Sequence, residues 1–233
     1  MTQATIEKVI VIGAGQAGFE TCNALRNAGF EGQITLVGEE NQPPYQRPPL
    51  SKAYLLGKMP LERLFFRPPD FYSEQDIALH LSCACTSVNA ADQTVTLSDG
   101  QILSYDALVL TTGSRPITLP DAIGGALDGV HYVRNLADAD RMAKDMQPDR
   151  PLLVVGGGYI GLEAAAVAAG LGLKVILVEA SGRILQRVAC EKTADYFRDL
   201  HRSHGVDIHE GIKLERLLGQ GGRLVGAELD DGT

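Results

Sequence analysis

The 233-residue sequence has no tryptophan, 6% aromatic residues and four cysteines. It has no apolar run approaching the ~18 residues of a membrane-crossing helix. Met1–Lys8 is polar and acidic rather than basic and then apolar, unlike a signal peptide. Cys22, Cys83, Cys85 and Cys190 show neither C-x-x-C spacing nor an extracellular disulfide framework, so a reducing, cytoplasmic setting fits. No Cys/His cluster points to a metal site. The formal net charge of −8 argues against nucleic acid as the main partner. It leaves room for a local basic face toward an acidic protein.

Glycine and small apolar residues are plentiful, with 26 glycines and 45% hydrophobic residues. They are concentrated in one pattern that occurs twice, at VIVIGAGQAGFETCNALRNAGF (Val9–Phe30) and LLVVGGGYIGLEAAAVAAGLGL (Leu152–Leu173). Lys8–Ile12 is a continuous β-branched run, as in a parallel strand buried on both faces. The spacing predicts a helix over Ala17–Ala28, closed by Gly29, and a second strand over Gln33–Val37, ending at Glu39. The second copy gives strand Leu152–Val155, helix Tyr159–Leu171 and strand Lys174–Val178, then Glu179.

Each copy is a βαβ unit carrying G-x-G-x-x-G. The first glycine turns the chain off the strand, the second lets backbone approach a pyrophosphate, and the third lets helix pack on strand. Gly13, Gly15 and Gly18 fill these places in the first copy, with Ala14, Gln16 and Ala17 between them. Gly156, Gly158 and Gly161 fill them in the second, around Gly157, Tyr159 and Ile160. Helix N-termini offer free N–H groups and a positive dipole end to phosphate. An acid about 20 residues on, at Glu39 or Glu179, is placed for ribose hydroxyls. Two such sites imply a flavin and a nicotinamide exchanging hydride. Glu179 favours NADH, because a carboxylate accepts from a 2′-OH and repels a 2′-phosphate. The plainer alternative is a solvated strand-end acid, and Arg183 is either an adenosine contact or a surface arginine.

Between the copies lies a proline-rich excursion, Asn41–Pro69, whose only helical-looking part is Leu50–Leu56. Ser98-Asp99-Gly100 reads as a hairpin turn, and Tyr105–Leu110 as a strand running into Thr111-Thr112-Gly113. Pro116–Pro151 connects the copies, with a helical pattern at Leu136–Met146. After Glu191–His204, read as a helix, come strand-like Val206–His209, Leu214–Leu217 and Leu224–Leu229. The second copy stops just after an Asp-Gly turn that the first copy follows with a further strand. The expectation is therefore part of a longer protein, binding FAD weakly by itself.

Four stretches are more specific: Arg47-Pro-Pro-Leu-Ser-Lys52, Thr112-Gly113-Ser114-Arg115-Pro116, Tyr132-Val-Arg134-Asn-Leu and Gly156-Gly-Gly-Tyr-Ile-Gly-Leu-Glu163. With these, the chain resembles the ferredoxin reductase family of flavoproteins, over essentially its whole length. That resemblance implies an FAD-dependent enzyme passing electrons from NADH to a [2Fe-2S] ferredoxin or a rubredoxin, often for an oxygenase. It implies an α/β fold with two Rossmann-like, three-layer dinucleotide-binding domains, parallel sheets and β-meander hairpins. Residues 1–115 would be the FAD-binding domain and 116–233 the NAD-binding domain lacking its last strand. The rest of the FAD domain and a C-terminal interface domain would be absent.

By the same resemblance, Gly13–Gly18 and Glu39 would hold the ADP half of FAD, and Gly156–Gly161 with Glu179 would bind NADH. Lys52 would lie by the flavin ring, paired with Glu163. Backbone near Cys85 would touch the adenine, and Arg134 would contact FAD. Thr112 and Gly113 belong to the same set, and Arg47 is either a second flavin contact or a salt-bridge partner. From sequence alone, Lys52 is a solvent-exposed lysine and Glu163 an early-helix acid. Related disulfide reductases carry a redox cysteine pair after the first βαβ unit; here Asn41–Lys52 has no cysteine. The same fold also serves NADH oxidases, nitrite reductase flavin modules and signalling flavoproteins resembling apoptosis-inducing factor.

Overall fold

The computed structural model describes residues 5–233; Met1–Ala4, part of the polar amino terminus, lie outside them. The chain forms two compact units. One comprises the residues up to Gln46 together with Pro60–Ser114, the other Arg47–Met59 together with Arg115–Thr233. Both are mixed α/β with parallel sheets.

The first unit contains β1 (Lys8–Ile12), α1 (Gln16–Asn27), β2 (Gln33–Val37), α2 (Pro69–Glu74), β3 (Ile77–His80), β4 (Cys85–Asn89), β5 (Thr94–Leu97), β6 (Ile102–Ser104) and β7 (Ala107–Leu110). Its parallel sheet has the order β3-β2-β1-β7, and β4-β5-β6 form an antiparallel meander. The period of two along β1 explains its uninterrupted apolar run. Val9 and Val11 pack with Phe19 and Cys22 of α1, Ile34, Leu36, Tyr72 and Ile77. Ile10 and Ile12 face the other way, toward Val95, Leu97, Cys83 and Tyr105. Helices, sheet and meander thus make three layers. Burial pushes the Cys22 thiol up to about 12, so it is a core residue rather than a nucleophile.

Arg26, in the last turn of α1, clasps this unit at the end away from the glycine turn. Its guanidinium donates to four backbone carbonyls: Gln75 (2.7 Å), Asp76 (2.8 Å), Phe30 (2.6 Å) and Gly32 (2.8 Å). Methionine would keep the stem and strand all four acceptors. Arg26→Met is therefore expected to lower unfolding stability by about 2–4 kcal/mol. Urea titration should show this as an earlier midpoint at unchanged slope; an unmoved midpoint would make the clasp incidental.

The second unit contains α3 (Leu136–Asp145), β8 (Pro151–Val155), α4 (Tyr159–Gly170), β9 (Lys174–Glu179), α5 (Glu191–Ser203), β10 (Asp207–Glu210), β11 (Leu214–Gln220) and β12 (Arg223–Leu229). Its parallel sheet has the order β10-β9-β8, and β11 and β12 form an antiparallel hairpin. The core joins Leu162, Ala165 and Ala168 of α4 to Val175 and Leu177 of β9, Ala194 of α5 and Met142 of α3. Leu55 joins it from the proline-rich excursion. Whereas β1 is flanked by β2 and β7, β8 pairs among the described residues only with β9.

The helix expected over Leu50–Leu56 is not a regular one. A 3-10 turn spans Pro48–Ser51 and irregular turns follow to Gly57, whose φ is +67°. Lys52, at φ −134° and ψ −113°, leaves the helical region immediately after that turn and interrupts the ladder.

Candidate nucleotide-binding sites

At the end of β1, Gly13 turns with φ +114° and donates its N–H to the Val37 carbonyl at 2.8 Å. A Cβ on Gly13 would lie 2.2 Å from the Thr111 carbonyl oxygen. Thr111, the residue after β7, braces the turn by donating Oγ1 to the Gly13 carbonyl at 2.9 Å. That contact was not legible in the sequence, where Thr112 and Gly113 stood out; Gly113 has φ +68°. A Cβ on Gly18 would press within 2.0 Å of the Gly13 carbonyl, so α1 packs directly on the turn.

Gly15 differs from both. It is the N-cap of α1 with φ −89° and ψ −166°, a conformation open to any residue, and a Cβ there would meet nothing within 4 Å. No side chain caps the helix and its first turn carries no acid, so its leading N–H groups face open space.

The second turn repeats this geometry. Gly156 has φ +109° and donates to the Val178 carbonyl at 2.8 Å. A Cβ on Gly161 would press within 2.0 Å of the Gly156 carbonyl. Gly158, the N-cap of α4 with φ −81°, again would meet nothing. Tyr159 and Ile160, in the first turn of α4, are each 57% exposed. Both sites thus keep a glycine that the fold does not require, at the place where a pyrophosphate would lie against helix N–H groups. The residues present fit the pyrophosphate of a dinucleotide at each turn.

Strand register separates the two copies. Val37 and Val178 are equivalent acceptors, so the residues after them, Gly38 and Glu179, occupy equivalent positions. Glu179 accepts from Gly157 N–H and Ser181 N–H, both at 2.7 Å. In the first copy a Cβ on Gly38 would lie 2.5 Å from Ala14 Cβ. Alanine on the turn therefore excludes an acid there, and Glu39 stands one residue later, exposed. Burial would raise the Glu179 carboxyl, but the Ser181 and Gly157 N–H bonds and nearby Arg187 outweigh it and hold the group below the usual carboxylate range. Arg183 turns its guanidinium onto its own loop, 2.9 Å from the Ala189 carbonyl. The cation acting on Glu179 is Arg187, which the sequence did not single out.

Also within the second unit, Lys52 Nζ pairs with Glu163 Oε2 at 2.7 Å. Arg47 donates to the Arg134 carbonyl at 2.7 Å, and Arg134 N–H to Asp138 at 3.0 Å. Tyr54 donates to Asp140 at 2.8 Å. In the first unit, Cys85 is half-buried with Sγ 3.4 Å from the Ser87 carbonyl. Among the described residues no group of three or more His, Cys, Asp or Glu could hold a metal ion, and no helix is long and apolar enough to cross a membrane.

Residues 7–233 match the pyridine nucleotide-disulphide oxidoreductase family. The chain belongs to this family. The family's description names a disulphide, whereas the cysteines of this member are free. Among curated relatives, the chain is 45% identical over 223 residues to the ferredoxin–NAD(P)(+) reductase fdr of a Sphingomonas species, covering 96% of this chain and 54% of the relative. It is 33% identical to the rubredoxin–NAD(+) reductase of Pseudomonas putida, covering 96% and 58%. Putidaredoxin reductase, solved in covalent complex with putidaredoxin, superposes with a TM-score of 0.92 at 40% identity, covering 97% of this chain and 55% of that one. The chain thus spans about half the length of the relatives it matches.

Proposed function

We propose that this chain serves an FAD-dependent NADH oxidoreductase delivering electrons to a [2Fe-2S] ferredoxin or a rubredoxin, as the reductase component of an oxygenase system. The first unit, with Gly13–Gly18, Glu39, Thr112, Gly113 and backbone near Cys85, is assigned to FAD. The second, with Gly156–Gly161 and Glu179, is assigned to NADH, while Arg183, bound to its own loop, takes the surface-arginine role. The observation carrying the reading is the pair of open glycines, Gly15 and Gly158, each at an uncapped helix N-terminus where the fold itself would accept a side chain. The named acceptors of the relatives support the choice of partner.

FAD bound there would supply the exchange between two-electron transfer from NADH and one-electron transfer to an iron protein. The chain's own residues bind and orient. The helix N-termini of α1 and α4 neutralise phosphate charge, and Glu179 accepts from ribose hydroxyls. Arg47 and Arg134 anchor the excursion that carries Lys52, a cation proposed to stabilise negative charge on the reduced cofactor. With no cysteine pair in Asn41–Lys52 to take over the electrons, they leave to an external acceptor. The free cysteines suit a reducing compartment, and the cytoplasm is the proposed location.

Anaerobic NADH oxidation with catalytic ferredoxin and excess cytochrome c tests this. Sustained cytochrome reduction that requires the ferredoxin is expected. A single turnover followed by arrest would indicate a signalling flavoprotein, and rapid NADH consumption confined to a parallel aerobic run without ferredoxin an oxidase. Lys52→Met is expected to lower the flavin potential and slow flavin reduction in stopped flow; unchanged values would leave Lys52 with a scaffold role.

A further inference from the structure

Among the described residues the buried polar or charged side chains are Ser51, Asp138 and His201. Two of them have evident structural roles. Asp138 completes the capping box of α3 with Asn135, and His201 bridges the Phe197 and Leu162 carbonyls. Ser51 is 5% exposed, and its Oγ lies 2.6 Å from Glu163 Oε2, the same oxygen that Lys52 Nζ meets at 2.7 Å.

We propose that Ser51 is the positioning residue of the Lys52–Glu163 pair, its buried hydroxyl fixing the carboxylate so that the ammonium is held as a stationary charge. The proposal rests on the reading that this pair acts on the flavin. The ion pair by itself is poorly suited to such a task. Lys52 is 48% exposed and Glu163 29%, and two flexible side chains in contact with water hold no single geometry. The hydroxyl changes this because its carrier is stiff. Ser51 closes the Pro48–Ser51 turn, whose two prolines fix φ, and the Pro48 carbonyl of that turn accepts from Lys52 Nζ at 3.1 Å. One rigid turn thus supplies a donor to the carboxylate and an acceptor to the ammonium. With Oε2 held by two donors, rotation of the carboxylate would break both contacts together. Serine is also hard to replace silently, since a buried hydroxyl is tolerated where it has a partner, and here that partner is Glu163.

Two readouts test this on the folded protein, with circular dichroism confirming each variant. The first needs no flavin: modification of Lys52 by an amine-directed reagent, followed by peptide mass spectrometry. Ser51→Ala is expected to react about three- to tenfold faster at Lys52, the range for losing one ordinary hydrogen bond, while Ser51→Thr stays near the unaltered rate. The second is the midpoint potential of flavin-loaded protein, expected to move in Ser51→Ala in the same direction as in Lys52→Met, and less far. An alanine variant no more reactive at Lys52 than the unaltered protein, or a threonine variant as reactive as alanine, overturns the proposal. If Lys52→Met and Glu163→Gln leave the potential unmoved, the reading of the pair as a flavin-directed charge fails, and the positioning role in catalysis with it. If those two shift the potential and Ser51→Ala does not, the Ser51 proposal alone fails.

Discussion

Gly158→Ala is expected to lower NADH affinity roughly ten- to a hundredfold, the equivalent of weakening one or two charge-assisted hydrogen bonds, with little change in thermal stability. The two effects separate because the site separates them. At φ −81° and ψ −177° alanine fits the backbone, and its Cβ meets no protein atom within 4 Å. The modest loss of an N-cap glycine is offset by reduced freedom of the unfolded chain, each about 0.5–1 kcal/mol. The same methyl occupies the space that a pyrophosphate needs to reach the N–H groups of α4. Gly15→Ala should act likewise on FAD. Gly13→Ala provides the contrast: with φ +114° and the Thr111 carbonyl 2.2 Å from the new Cβ, it should cost more than about 3 kcal/mol of folding stability. Calorimetric titration beside thermal unfolding distinguishes the cases. A Gly158→Ala protein that binds NADH as tightly as its parent would remove the second turn from the nucleotide site.

Glu179→Ala is expected to shift the ratio of kcat/KM for NADH over NADPH by roughly ten- to a hundredfold toward NADPH, by losing ribose hydrogen bonds and the charge that repels a 2′-phosphate. The pH dependence follows from the sign of the shift. A carboxyl held below its unfolded value adds stability that is present above that value and lost as pH falls through the lower folded one. The preference for NADH should therefore persist through the neutral and mildly acidic range. An unchanged ratio would make Glu179 a brace for the turn through Gly157 and Ser181, with no share in selectivity.

Local sequence carried the parts of the molecule that depend on local rules. The βαβ units were legible because β-branched runs, glycine turns and alanine-rich helices each signal one conformation, and α1, β2, α4 and β9 lie within a residue or two of their expected ends. Strand β3 and helix α2 were not singled out, because the excursion before them is dominated by proline and its hydrogen bonds are long-range. The helix-like pattern at Leu50–Leu56 misled for a related reason: Leu55 is apolar to fill the second unit's core, and the turns around it follow from the non-helical backbone of Lys52 and the left-handed Gly57. Tertiary partners were the least visible. Thr111 braces Gly13 across 98 residues and Ser51 meets Glu163 across 112, separations that carry no local signal. The alignment of Glu39 with Glu179 differs by one residue because Ala14 Cβ crowds Gly38 in the first copy, whereas in the second Gly157, packed against Ile184, turns its N–H to Glu179.

The assignment of two separate cradles, the first for FAD and the second for NADH, is tested most directly by anaerobic NADH titration of FAD-loaded protein carrying either Gly158 or alanine there. With glycine, NADH should bleach the flavin. With alanine, the flavin should stay bound and oxidised at the same NADH concentration, yet bleach fully with dithionite. Equal bleaching of both proteins by NADH would contradict the account.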